Sequence, residues 1–136
     1  MKNILLIDLD EKAEKGYAEL LRKQGYVIMH ETGRTFSTAR TMERLSADML
    51  IVQCLSVDRE VEQRLEEIKR VATEKPLLLL TDNLSVETYI RTQALGVHDH
   101  ICMPVSDHEI VRTVQKILAA PASSTRQTSD RNIGSI

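Results

Sequence analysis

A chain of 136 residues is the size of one domain, long enough to bury a core without disulfides or metals. With 42% apolar and 28% charged residues and a net charge of −2, it reads as a soluble, cytoplasmic globular protein. Nothing approaches the roughly 18 apolar residues of a membrane span, the opening MKNILLIDLDE meets acids too soon for a secretory signal, and no basic run marks direct nucleic-acid binding. The two cysteines, Cys54 and Cys102, are expected as reduced thiols. With His98 and His100 they lack the C-x-x-C type of spacing that a metal site would show.

The elements follow in chain order. ILLI at 4–7 is a continuous apolar run without polar alternation, which suits a strand buried on both faces. Asp10 is placed to cap a helix carrying Ala13, Tyr17, Leu20 and Leu21, closed by Gly25. YVIMHE at 26–31 is more polar and reads as an edge strand. A second helix would carry Phe36, Ala39, Met42 and Leu45 on one face. MLIV at 49–52 is the next buried strand, with Gln53 at its tip. A third helix carries Val61, Leu65, Ile68 and Val71 inward, with Glu60–Arg64 and Glu66–Arg70 pairs outward. LLLL at 77–80 is a further buried strand. A fourth helix opens near Ser85, carries Val86, Tyr89, Ile90 and Ala94, and stops at Gly96. HDHICM at 98–103 reads as the other edge strand. The capping box Ser106-x-x-Glu109 starts a last helix that buries Ile110, Val111, Val114, Ile117 and Leu118. From Pro121 onward no apolar face recurs, so residues 1–120 form the domain and 121–136 a flexible tail or a linker to a further output domain.

Five strands alternating with five helices imply a doubly wound α/β domain: a five-stranded parallel sheet with helices on both faces. In that architecture function gathers beyond the carboxyl ends of the strands. The residues there are Asp8 to Glu11, Gln53 to Ser56, Thr81 to Asn83 and Cys102 to Val105.

At these strand ends the chain resembles the receiver domain of two-component response regulators. The resemblance covers residues 3–119 and rests on ILLIDLDEK, ADMLIVQCL, PLLLLTDN and ALGVHDHICMPVSDHEI. It implies a flavodoxin-like fold with strand order 2-1-3-4-5. In receivers, two acids after the first strand and an aspartate ending the third hold Mg²⁺ and accept a phosphoryl group. A hydroxyl after the fourth strand and a lysine before the proline after the fifth hold the phosphoryl oxygens. Matched position by position, Asp8 keeps the first acid and Leu9 replaces the second. Gln53 stands at the phosphoacceptor, Thr81 keeps the hydroxyl, Met103 replaces the lysine before Pro104, and His100 takes the place of the switch aromatic.

An amide is no phosphoryl nucleophile and brings no charge to a divalent ion. Losing carboxylates and lysine together is electrostatically self-consistent, because either loss alone would strand unbalanced charge. The resemblance therefore points to a pseudo-receiver: not an enzyme, with no cofactor and Mg²⁺ binding weak or absent, in which Leu9 and Met103 approach each other across a smaller apolar pocket. Asp8 and Asp10 read either as metal-site remnants or as loop acids.

The function implied is a phosphorylation-independent regulatory module, such as the N-terminal domain of a transcription regulator. It would meet a protein partner or a second copy through residues 85–96, 98–103 and 107–119, with His100, Tyr89, Ile90 and Val111 on that face. Two alternatives stand beside it. One is a small-molecule or nucleotide-binding domain, although no Gly-rich phosphate loop follows any strand. The other is a true phosphoacceptor using Asp8, Asp10 or Asp58.

Overall fold

The computed structural model describes residues 1–10, 16–32, 46–72 and 74–120. The apolar runs become strands: β1 (Asn3–Asp8), β2 (Val27–Thr32), β3 (Met49–Ser56), β4 (Leu77–Asn83) and β5 (Asp99–Cys102). Four helices accompany them among the described residues: α1 (Gly16–Lys23), α2 (Arg59–Val71), α3 (Val86–Ala94) and α4 (Asp107–Ala119). The sheet order is β2-β1-β3-β4-β5 and every pairing is parallel, as the doubly wound reading requires. The expected helix over 36–45, the start of the first helix with Ala13, and the segment from Pro121 lie outside the described residues.

Side chains alternate between the two faces of each central strand, and both faces are covered. Leu5, Ile7, Leu50, Val52, Leu77 and Leu79 meet Val61, Leu65 and Ile68 of α2 on one side. Ile4, Leu6, Met49, Ile51, Leu78 and Leu80 meet Leu21 of α1 and Ile110, Val114 and Ile117 of α4 on the other. Two-sided burial is why these runs contain no polar alternation. Each fully buried aliphatic side chain contributes about 1.5–3 kcal/mol.

Helix ends follow local chemistry. Asp58 Oδ1 accepts the Val61 amide at 2.8 Å to start α2, Ser85 Oγ accepts that of Thr88 at 3.1 Å to start α3, and Ser106 Oγ accepts that of Glu109 at 3.1 Å to start α4. Gly25 and Gly96 close α1 and α3 at φ 97° and 104°, where a Cβ is disfavoured.

Two expectations need correction. Gln53 is not a solvent-facing tip, because β3 continues to Ser56 and Gln53 is only 9% exposed. Val71 is exposed at the last position of α2, and the following residue, Ala72, takes the inward place in the core beneath the helix. On α3, Val86, Ile90 and Tyr89 are 76%, 59% and 42% exposed, Ala94 is exposed too, and the buried residue of the helix is Thr92. The apolar stripe exists at i, i+3, i+4 spacing, but it faces away from the sheet.

Candidate functional site: the crevice at the carboxyl edge of the sheet

The crevice forms where β1, β3 and β4 end together. Asp8, at the end of β1, is buried and stands in register beside Gln53 of β3. The Leu9 amide donates to the Gln53 carbonyl at 2.9 Å, which extends the pairing past the strand. Asp8 Oδ1 accepts the Asp10 amide at 3.2 Å and turns the chain sharply. Asp10 then reaches across: its Oδ2 accepts the Leu55 amide at 2.6 Å. From the other side, the Thr81 hydroxyl donates to the Leu55 carbonyl at 3.1 Å and accepts the Asn83 amide at 3.4 Å. Thr81 thus ties the end of β4 to the end of β3 and braces its own strand two residues on.

Leu9 and Met103 do not meet. Leu9 keeps the facing of Ile7 and packs into the cluster under α2, while Met103 lies against the opposite cluster, under α1 and α4. Strand alternation decides this, since the sheet runs between them. The Met103 amide donates to the Thr81 carbonyl at 2.8 Å, and the Met103–Pro104 peptide is cis.

Gln53 Oε1 is buried and has no hydrogen-bond partner. An acceptor in that condition costs free energy, about 1–3 kcal/mol where no water reaches it. The donor set fits a divalent ion poorly. Mg²⁺ asks for near-octahedral oxygen ligation built on carboxylates. Here Leu9 is apolar and inside the core, Gln53 is neutral, and Asp10 already gives an oxygen to Leu55. Among the described residues no cluster of three or more His, Cys, Asp or Glu is arranged to hold a metal.

Cys54 is buried and Cys102 exposed. They stand two strands apart in one register row through Thr81, about 10 Å by strand spacing and too far for a disulfide.

The second cluster joins β5 to α3. His100 Nε2 lies 2.6 Å from Thr92 Oγ1, and its ring packs on Tyr89 with centroids 4.5 Å apart and a 44° tilt. Burial lowers the His100 pKa from the usual histidine value, against the raising influence of Asp99. Arg91 ties α3 to α2 through Glu62 at 2.6 Å. Val111, on α4, is half-buried at the margin of the α1/α4-side core.

Leu55, Arg91 and Thr92 fall within the stretches 53–56 and 85–96 that the sequence marked, but their individual roles were not legible, and Glu62 lay outside those stretches. Leu55 acts through its backbone, which no side-chain pattern announces. Thr92 offered one signal, a hydroxyl within reach of the carbonyls of Thr88 and Tyr89 in the preceding turn.

No family model and no curated protein matches the chain. Solved structures do. The chemotaxis protein CheY4 of Vibrio cholerae superposes with a TM-score of 0.74 at 17% identity, over 86% of this chain and 98% of its own. A CheY-like response regulator receiver domain protein of Methanospirillum hungatei gives 0.70 at 19%, over 87% and 94%. A protein described as a pilus assembly protein (cpaE) of Burkholderia thailandensis gives 0.69 at 21%, over 91% and 99%. By strand order, helix placement and extent, the fold of this chain is that of the CheY-like receiver domains of response regulators.

Proposed function

We propose that this domain is a signalling module that works through protein contact and carries out no phosphotransfer. The observation that carries the reading is Gln53, a neutral amide buried in the sheet at the position where the receiver resemblance places the phosphoacceptor. Leu9 and Met103 support it, since each packs as an apolar side chain where a charge would serve phosphate chemistry. The substitute acceptors are otherwise engaged. Asp8 is buried and holds the Asp10 amide, Asp10 holds Leu55, and Asp58 caps α2.

The contact surface in this reading is the outer face of α3 with β5 and α4. Val86, Tyr89 and Ile90 are large apolar groups left in solvent at helical spacing, with Glu87 and Arg91 beside them. A helix that turns such a stripe outward is suited to a second copy or to a protein partner. In a longer chain the same face would set the association of an output domain, a transcription regulator among them.

Incubation with acetyl phosphate and Mg²⁺ tests the chemistry. Intact mass is expected to stay unchanged, with no gain of about 80 Da. A stable phosphoryl adduct within residues 1–120 would overturn the reading, and peptide mapping would name its site.

A further inference from the structure

Gln53 Oε1 is a buried acceptor without a donor, and its surroundings say what kind of group would satisfy it. Strand alternation puts the side chains of Asp8 and Gln53 on the face of the sheet that also carries Leu6, Ile51 and Leu80. Asp8, Gln53, Leu80 and Ile101 make one register row across β1, β3, β4 and β5. Neighbouring strands lie about 4.8 Å apart, so the amide and the carboxylate stand side by side, 9% and 3% exposed. The Asp10 amide occupies one acceptor position of Asp8, and a carboxylate offers about four. The rest of the row is hydrocarbon: Leu80 and Ile101 are buried, and half-buried Met103 packs on the same side just past β5. The sheet neighbours of Gln53 on this face therefore offer acceptors and apolar surface, and no donor.

We infer that this corner of the crevice binds an alkylammonium group. Its N–H groups donate to Gln53 Oε1 and to Asp8, its charge offsets that of Asp8, and its stem lies along Met103. The site is separate from the contact face proposed above and stands or falls without it.

The same neighbours select against other chemistry. A phosphate or a carboxylate would set acceptors against acceptors. A divalent ion would find a neutral amide where it needs carboxylates. A water has donors but brings no charge to Asp8, and a bare monovalent ion has no stem for Met103. Asp10, fixed one turn further on by the Leu55 amide, adds negative charge on the approach. Met103 is unbranched, so its side chain can shift to admit an alkyl chain that passes it.

An NMR titration of the full chain with n-butylammonium chloride, in amine-free buffer at constant ionic strength, tests this. Saturable shifts are expected in the side-chain amide of Gln53 and in the backbone amides of Gln53 and Met103. The Kd should be on the order of millimolar, as suits so small a ligand. Potassium chloride and magnesium chloride are expected to leave these signals unmoved. Gln53→Met removes the oxygen and Asp8→Asn removes the charge, and each should weaken butylammonium binding at least about tenfold. No saturation with butylammonium, the same shifts from potassium, or unchanged binding in folded Gln53→Met would each overturn the site. A tighter response to magnesium would overturn it in favour of a divalent ion. Nα-acetyllysine methylamide then separates the two sources of the group: tighter binding than butylammonium assigns it to a lysine side chain of a partner, and weaker binding to a free amine.

Discussion

The carboxylate of Asp10 takes the amide hydrogen of Leu55 at 2.6 Å, joining the loop after β1 to the end of β3. The Leu55 carbonyl is held by Thr81 on its other side. One exposed leucine is thus fixed through both its backbone groups, and the edge of the crevice is set by hydrogen bonds that join the loop after β1 to the ends of β3 and β4. Charge-assisted bonds of this kind are stronger than neutral ones, but this one is reached by solvent. Asp10→Ala is expected to cost about 1 kcal/mol in urea unfolding and to speed exchange of the Leu55 amide. A variant as stable as the wild type, with Leu55 still protected, would show that water replaces the carboxylate at no cost.

Stability should depend on pH through His100. Its folded pKa is lowered by burial, so the unfolded chain binds the proton more readily. The associated stability is complete above the ordinary histidine value of 6.5 and is lost as pH falls through the lower folded value. Urea midpoints of the wild type should therefore drop on acidification through that window. His100→Phe keeps a ring against Tyr89 and cannot titrate. The difference between the two midpoints should shrink as pH falls, and a difference that is constant with pH would remove His100 from the account.

The sheet was legible because its chemistry is one-dimensional. Leu77 to Leu80 and Met49 to Val52 are apolar without interruption, and only a strand covered on both faces uses such a run. Gly25 and Gly96 marked two helix ends because positive φ leaves few alternatives. The inward residue of α3 was not legible, for a physical reason. Periodicity says that Val86, Tyr89 and Ile90 share a face, but not which way the face points. Thr92 is able to go inward because its hydroxyl is satisfied by its own helix and by His100, which removes the usual penalty on a buried polar group. The distance between Leu9 and Met103 was misjudged in a similar way: adjacent loops at a sheet edge send alternate residues to opposite faces.

Gly96 gives a sharper test of packing. A Cβ there would sit 2.9 Å from Lys69 Cε and 3.2 Å from Cγ, on a backbone at φ 104°. The Lys69 ammonium donates to the Lys75 carbonyl at 2.8 Å, and burial of the chain lowers its pKa, so the side chain is not free to swing away without loss. Gly96→Ala is expected to cost about 2 kcal/mol or more, the strain of the left-handed backbone plus the displaced lysine. In a Lys69→Ala background the added cost should fall to about 1 kcal/mol, because only the backbone term remains. Equal costs in both backgrounds would place the whole effect in the backbone.

Gln53 decides how the crevice should be understood. Its Oε1 is buried without a donor, so the residue is held at some cost to stability. Methionine has similar length and no acceptor that needs satisfying. Gln53→Met is expected to be neutral or to stabilise by up to about 1 kcal/mol. Gln53→Glu should go the other way, because a carboxylate placed beside buried Asp8 is desolvated and repelled. Its loss, about 2–4 kcal/mol at neutral pH, should ease on acidification as the new carboxyl takes a proton. Urea unfolding of the three proteins at about pH 7 and about pH 5 separates these outcomes. If Gln53→Met is instead destabilised by more than about 1 kcal/mol, the amide oxygen is satisfied by a bound water or ligand, and the crevice is a site in use.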